Sequence, residues 1–172
     1  MDQARRNVKR EHFVKTKNLG TNLEDIDTAV SILRLGGLVA IPTETVYGLA
    51  ADATNENAVL KIFEAKGRPP YNPLIIHVKN TRMAEEYIQW NDAAQTLAEK
   101  FWPGPLTIVL PSRTNSKIAK TARASLPSIA VRMPNHPIAL NILDQLDRPL
   151  AAPSANLSGK ISAPSVDHVL TN

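Results

Sequence analysis

Two short stretches of this chain concentrate side chains able to manage negative charge. The first is Lys66-Gly67-Arg68, followed at once by Pro69 and Pro70, and the second is Ser154-Ala155-Asn156, set between Pro153 and Ser158-Gly159. Two cations on a rigid turn suit an oxyanion. Small residues beside a proline let backbone N–H groups approach a phosphate, while a hydroxyl and an amide add directed hydrogen bonds. Each stretch also has a plainer reading: Lys66 and Arg68 would equally complement the negative end of a helix, and Ser-x-Asn is a common turn that satisfies only its own backbone. Upstream, Thr43, Glu44, Thr45 and Tyr47 offer three hydroxyls and a carboxylate within five residues. His77 sits in an apolar run and reads either as a satisfied core group or as a cleft residue. With His12, His136 and His168 it shows no metal-ligand spacing.

These residues need elements to hold them. Residues 38–41 are too few for a helix and read as a buried strand ended by Pro42. The hydroxyl-rich residues then fall on the strand exit, with Gly48 closing the turn, where open α/β sheets bind ligands. Asn55 caps a helix over 56–66, apolar on Val59, Ile62 and Phe63, which delivers Lys66 and Arg68 as solvent-facing cleft residues. An earlier helix over 22–35 is capped by Asn22, lined by Ile26, Ala29, Val30 and Leu33, and ended by Gly36-Gly37. A strand over 74–78 carries His77, a helix covers about 81–89, and another runs from 91 or 92 to 101 with Ala94, Leu97, Ala98 and Phe101 inward. That helix stops at Trp102-Pro103-Gly104-Pro105. Then come a strand over 106–110 with Thr107, a basic loop over 112–127 and a strand over 128–133 with Arg132. A helix over 136–146, a short strand over 149–152, and a helix over 164–170 capped by Ser162 or Ser165 complete the chain. Strands alternating with helices make the fold class α/β.

The 172 residues suffice for one domain with a full core, and 43% apolar with 21% charged residues is ordinary for a soluble globular protein. The absence of cysteine removes disulfides, thiolate metal sites and a cysteine nucleophile. With no apolar run near the roughly 20 residues that span a bilayer, the expected compartment is the cytoplasm. The net charge of +4 resides in the first 17 residues, where Arg5, Arg6, Lys9, Arg10, Lys15 and Lys17 face only Asp2 and Glu11. This arm reads as a solvated basic extension over 1–21. The body is neutral but segregated: no acid occurs between Lys100 and Leu143, a stretch holding Arg113, Lys117, Lys120, Arg123 and Arg132. Such a surface suits an anionic ligand or RNA. Dinucleotide, Walker, zinc-protease and nucleophile-elbow signatures are all missing.

Five strings occur in order: PTETVYGL, KGRPPYNPLIIHV, FWPGPLT, VRMP and PSANLSG. Together they resemble the YrdC family of threonylcarbamoyl-AMP synthases over residues 22–170. The resemblance implies a twisted, open mixed sheet with flanking helices and a concave basic face. It implies that L-threonine, bicarbonate and ATP, with Mg²⁺ carried by ATP, give threonylcarbamoyl-adenylate and pyrophosphate. Partner transferase proteins would then move the threonylcarbamoyl group to tRNA. By the same resemblance a Lys-Arg-Ser-Asn tetrad falls on Lys66, Arg68, Ser154 and Asn156. Asn72 and Thr107 fall beside ATP, and Thr45, His77 and Arg132 fall around threonine, with no protein metal site. Family members usually continue past this point into further strands, so the 22–172 domain is expected to lack them. Two alternatives stand beside the synthase: a non-catalytic RNA-binding module using the basic face, and a carbamoyl-transfer domain of the kind found in hydrogenase maturation proteins.

Overall fold

The computed structural model describes residues 16–171; most of the basic arm, including Arg5, Arg6, Lys9, Arg10, Lys15 and also His12, lies outside the described residues. Helix starts follow the sequence closely. Helices α1 (Leu23–Arg34), α2 (Glu56–Lys66), α3 (Thr81–Glu85) and α4 (Asp92–Phe101) are capped by Asn22, Asn55, Asn80 and Asn91. Each asparagine side chain accepts from the backbone N–H three residues on, a cap worth about 1 kcal/mol. Helix α2 ends where Gly67 turns left-handed with φ 57°. Helices α5 (Pro137–Leu146) and α6 (Val166–Thr171) complete the set among the described residues.

The strands are β1 (Val39–Ile41), β2 (Gly48–Asp52), β3 (Ile75–His77), β4 (Ile108–Pro111), β5 (Ser128–Arg132) and β6 (Leu150–Ala151), arranged as one sheet in the order β1-β2-β6-β3-β5-β4. Only the β3–β5 pair is parallel, so the sheet is mixed and open, as expected. Side chains alternate between its faces. Ala51, Ile76, Ile108, Val131 and Ala151 pack against α2, α3, α4 and the buried Ile118, Ala119 and Ala122 of the 112–127 loop. Ala50, Leu150 and Ala152 point the other way, onto α1 and α5. These two helices cover only part of that second face. In the register of β3, β5 and β4, Ile75, Ala130 and Val109 lie side by side on it; the first two are half-buried and Val109 is 61% exposed. The uncovered half of the sheet is the floor of the site described below.

Three expectations are corrected. Gly48 opens β2 and does not close a turn. Residues 42–47 are therefore a hairpin loop between antiparallel strands, not a strand exit feeding a helix. The segment GLAAD has no β-branched residue, and its strand character comes from pairing with β1 on one side and β6 on the other. Helix α3 stops at Glu85 because the following residues are drawn toward β4: Ile88 bridges Ser112, and Gln89 N–H donates to the Pro111 carbonyl. In α4 only the small Ala94 and Ala98 face the core, leaving Leu97 and Phe101 41% and 44% exposed. Ser165 serves as the expected cap of α6, its Oγ accepting from the His168 N–H at 3.4 Å. Among the described residues no helix is long and apolar enough to cross a membrane.

Candidate active site

The two charge-handling stretches, nearly 90 residues apart in sequence, meet in space. Lys66 is only 4% exposed, and its Nζ donates to the backbone carbonyls of Ser154, at 2.5 Å, and of Asn156. The Ser158 N–H returns a bond to the Lys66 carbonyl. The helix end and the 153–158 loop are thus stitched from both sides, which corrects the expectation that Lys66 faces solvent. Gly48 makes the fit possible: a Cβ there would lie 3.3 Å from the Ala152 Cβ, and the residue bridges Ser154. The Tyr47 carbonyl accepts from Ala155 N–H at 2.7 Å. Asn156 is buried; its Nδ2 donates to the Leu157 and Lys160 carbonyls, while Oδ1 is without a hydrogen-bond partner, as is the buried Ser158 hydroxyl. Arg68 is half-buried and donates to the Asn72 and Pro73 carbonyls. The tetrad and exposed Asn72 therefore share one neighbourhood, where the chain leaves β6 beside the start of β3.

A second cluster forms around Arg132 at the other end of β3 and β5, where His77 is its partner in register. Arg132 is 9% exposed. Its Nε donates to the Gly104 carbonyl at 3.3 Å, and its Nη2 donates to Thr45 Oγ1 at 3.2 Å. The same Nη2 lies 2.7 Å from Glu44 Oε1. The β1–β2 hairpin loop therefore crosses the sheet face to reach β5. FWPGPLT supplies Gly104, whose N–H donates to the Met133 carbonyl and whose Cβ would meet the Phe101 carbonyl oxygen at 2.4 Å. Thr107, half-buried, sits one step beyond the Ile108–Val131 pair and so lies beside Arg132 rather than the tetrad. Glu44 is the residue that sequence reasoning left without a role. Its carboxylate was visible in PTETVYGL, but nothing local pointed to Arg132 as its partner.

Burial, and secondarily the nearby charge of Arg68, lowers the pKa of Lys66 to about 8; burial lowers that of Arg68 as well. Burial pushes Glu44 up, but the Arg132 hydrogen bond, backbone hydrogen bonds and the Arg132 charge together outweigh it and hold the carboxyl below its ordinary range. His77, 3% exposed with Nδ1 lacking a partner, is pushed down to about 4 by burial and then by the Arg132 charge. It is therefore neutral at pH 7. The unfolded histidine binds a proton below its ordinary 6.5 and the folded one only near 4, so stability falls as pH drops through that window, by about 3 kcal/mol. Urea unfolding of wild type and His77→Asn at pH 7 and 4.5 is expected to show a smaller acid loss in the variant. Equal losses would contradict the burial of a neutral imidazole.

An open mixed sheet, with part of one face uncovered, a lysine–arginine turn stitched to a hydroxyl–amide loop, and a carboxylate-clamped arginine, defines the class as an α/β protein with two polar clusters. The family model Sua5_yciO_yrdC, described as Telomere recombination, matches residues 31–172, and the chain belongs to that family. It is 51% identical over 145 residues to a threonylcarbamoyl-AMP synthase of Pyrococcus abyssi, covering 84% of this chain and 42% of that relative. It is 46% identical to the Bacillus subtilis threonylcarbamoyl-AMP synthase, covering 90% and 44%. The structure of P. abyssi Sua5 complexed with L-threonine superposes with a TM-score of 0.84 at 49% identity, covering 87% of this chain and 44% of that one. The chain thus spans less than half the length of these relatives.

Proposed function

We propose that this domain makes L-threonylcarbamoyl-adenylate and pyrophosphate from L-threonine, bicarbonate and ATP, with Lys66, Arg68, Ser154 and Asn156 at the reacting phosphates. The observation that carries the reading is the reciprocal stitching of Lys66 to the 153–158 loop, beside a second cluster able to hold an amino acid. Condensation of the threonine amine with bicarbonate gives a carbamate and water. A carbamate oxygen then attacks the α-phosphorus, the bond to the β-phosphate oxygen breaks, and pyrophosphate leaves with the negative charge. Such transfers rest on positioning and on cations placed where charge develops. Lys66 and Arg68 supply these cations, and the Ser154 hydroxyl and Asn156 amide orient oxygens. Asn72, next to Arg68, contacts ATP, whereas Thr107, opposite Arg132 in register, borders the threonine end.

Thr45, His77 and Arg132 form the threonine end. Arg132 has its Nε and Nη2 engaged, which leaves the Nη1 N–H groups to donate to a carboxylate. Mg²⁺ enters with the ATP triphosphate; among the described residues no three His, Asp or Glu side chains converge to hold a metal ion. The product would pass in the cytoplasm to tRNA threonylcarbamoyl-transferase proteins acting on tRNA. RNA binding as the sole role is disfavoured by the likeness of this domain to threonylcarbamoyl-AMP synthases. The test is mass spectrometry of a reaction with ¹³C-bicarbonate. Threonylcarbamoyl-adenylate carrying one ¹³C is expected; an unlabelled or absent product from folded protein would overturn the proposal.

A further inference from the structure

The pairing of Glu44 with Arg132 is more than a scaffold contact. A cation and an anion 2.7 Å apart stand at the edge of the uncovered sheet face, in side chains 10% and 19% exposed, with the uncharged His77 beside them in register. A zwitterion is the electrostatic complement of such a pair. Laid antiparallel to it, a ligand carboxylate meets the remaining Nη1 donors of Arg132 while the adjacent α-ammonium meets the Glu44 carboxylate. Four charges then alternate in sign and the partly covered site stays neutral overall, which matters because an uncompensated charge beside a buried arginine is costly. A simple carboxylate ligand would leave the site one charge out of balance. We infer that Glu44 is the specificity-determining residue for the ligand's α-ammonium, so that this site selects an amino acid over a hydroxy acid. The inference rests on the threonine site proposed above. Thr45 Oγ1 shares the same Nη2, accepting from it at 3.2 Å.

The experiment is calorimetric titration of wild-type protein, Glu44→Gln and Glu44→Asp with L-threonine and with (R)-3-hydroxybutyrate, which has the carboxylate and hydroxyl but no amine. Wild type is expected to prefer threonine by about tenfold or more, the size of a charge-assisted hydrogen bond. Glu44→Gln is expected to reduce that preference to about twofold or less, chiefly by weakening threonine, whereas Glu44→Asp, which keeps the charge, retains most of it. Residual binding of the hydroxy acid by Glu44→Gln shows that the variant is folded and that Arg132 is in place. Equal weakening of both ligands would overturn the inference, since Glu44 would then act only by positioning Arg132. Unchanged threonine binding in Glu44→Gln would overturn it as well. Absence of threonine binding to wild type would overturn the threonine site itself, a distinct failure, and this inference with it.

Discussion

Replacing Lys66 by methionine is expected to lower threonine-dependent pyrophosphate release at least about 100-fold, the typical effect of removing one preorganised charge-stabilising group, and to lower the unfolding midpoint as well. The second effect follows from geometry. Lys66 is buried, and its ammonium is the donor to the Ser154 and Asn156 carbonyls; methionine fills the volume but leaves both acceptors unpaired, at about 1–3 kcal/mol each. The loop that carries two members of the tetrad loses its tether along with the cation. With a pKa lowered to about 8 by burial and the Arg68 charge, Lys66 is protonated at neutral pH and loses its charge as pH rises through that value. The wild-type rate is therefore expected to decline above about pH 8. Steady-state assays across pH 6.5–9.5, with thermal unfolding of both proteins, check all three effects. A stable, fully active Lys66→Met protein would remove Lys66 from the site.

The second large effect belongs to Arg132. Arg132→Lys keeps one positive charge but replaces a fork engaged in three directions with a point charge, which is not a conservative exchange at such a site. We expect the KM for L-threonine to rise by about tenfold or more while the KM for ATP changes little, because the tetrad lies at the other end of β3. Arg132→Ala goes further. It leaves the Glu44 carboxylate, in a side chain 19% exposed, without its counter-charge; because Glu44 is only partly covered, the cost falls below the roughly 3–5 kcal/mol of breaking a fully buried pair. It also removes the largest of the interactions that keep the Glu44 pKa below its ordinary value against the opposing effect of burial. In wild type this pairing contributes stability that is present above pH 4.5 and lost as pH falls through the lowered pKa; in Arg132→Ala that contribution is absent throughout. Substrate-dependence curves and urea titrations at pH 7 and 4 test this. A parallel rise in both KM values would argue against a threonine-specific role.

The helices were legible because their signals are local. Asn22, Asn55 and Asn91 announce the starts of α1, α2 and α4, and the pair Pro69-Pro70 announces that α2 cannot run on. The strand β2 was missed because Gly48–Asp52 carries neither β-branched nor aromatic residues, and its character is conferred by partners distant in sequence. Burial of Lys66 was hidden for the same reason. A lysine in the last turn of a helix reads as a dipole partner until a loop 88 residues away closes over it. The candidate site residues stand in the five short strings, but the contacts among them were not legible there. Thr45 and Arg132 are 87 residues apart, and only the crossing of the hairpin loop over the sheet face brings Glu44 and Thr45 to the arginine.

The most direct test of the central claim is pyrophosphate release by this chain with ATP, Mg²⁺ and bicarbonate, with L-threonine present or omitted. The account predicts release that requires threonine, saturates with it, and is lost in Lys66→Met. Release indifferent to threonine, or none from protein shown to be folded, would contradict the assignment of this sheet face as the place where threonylcarbamoyl-adenylate is made.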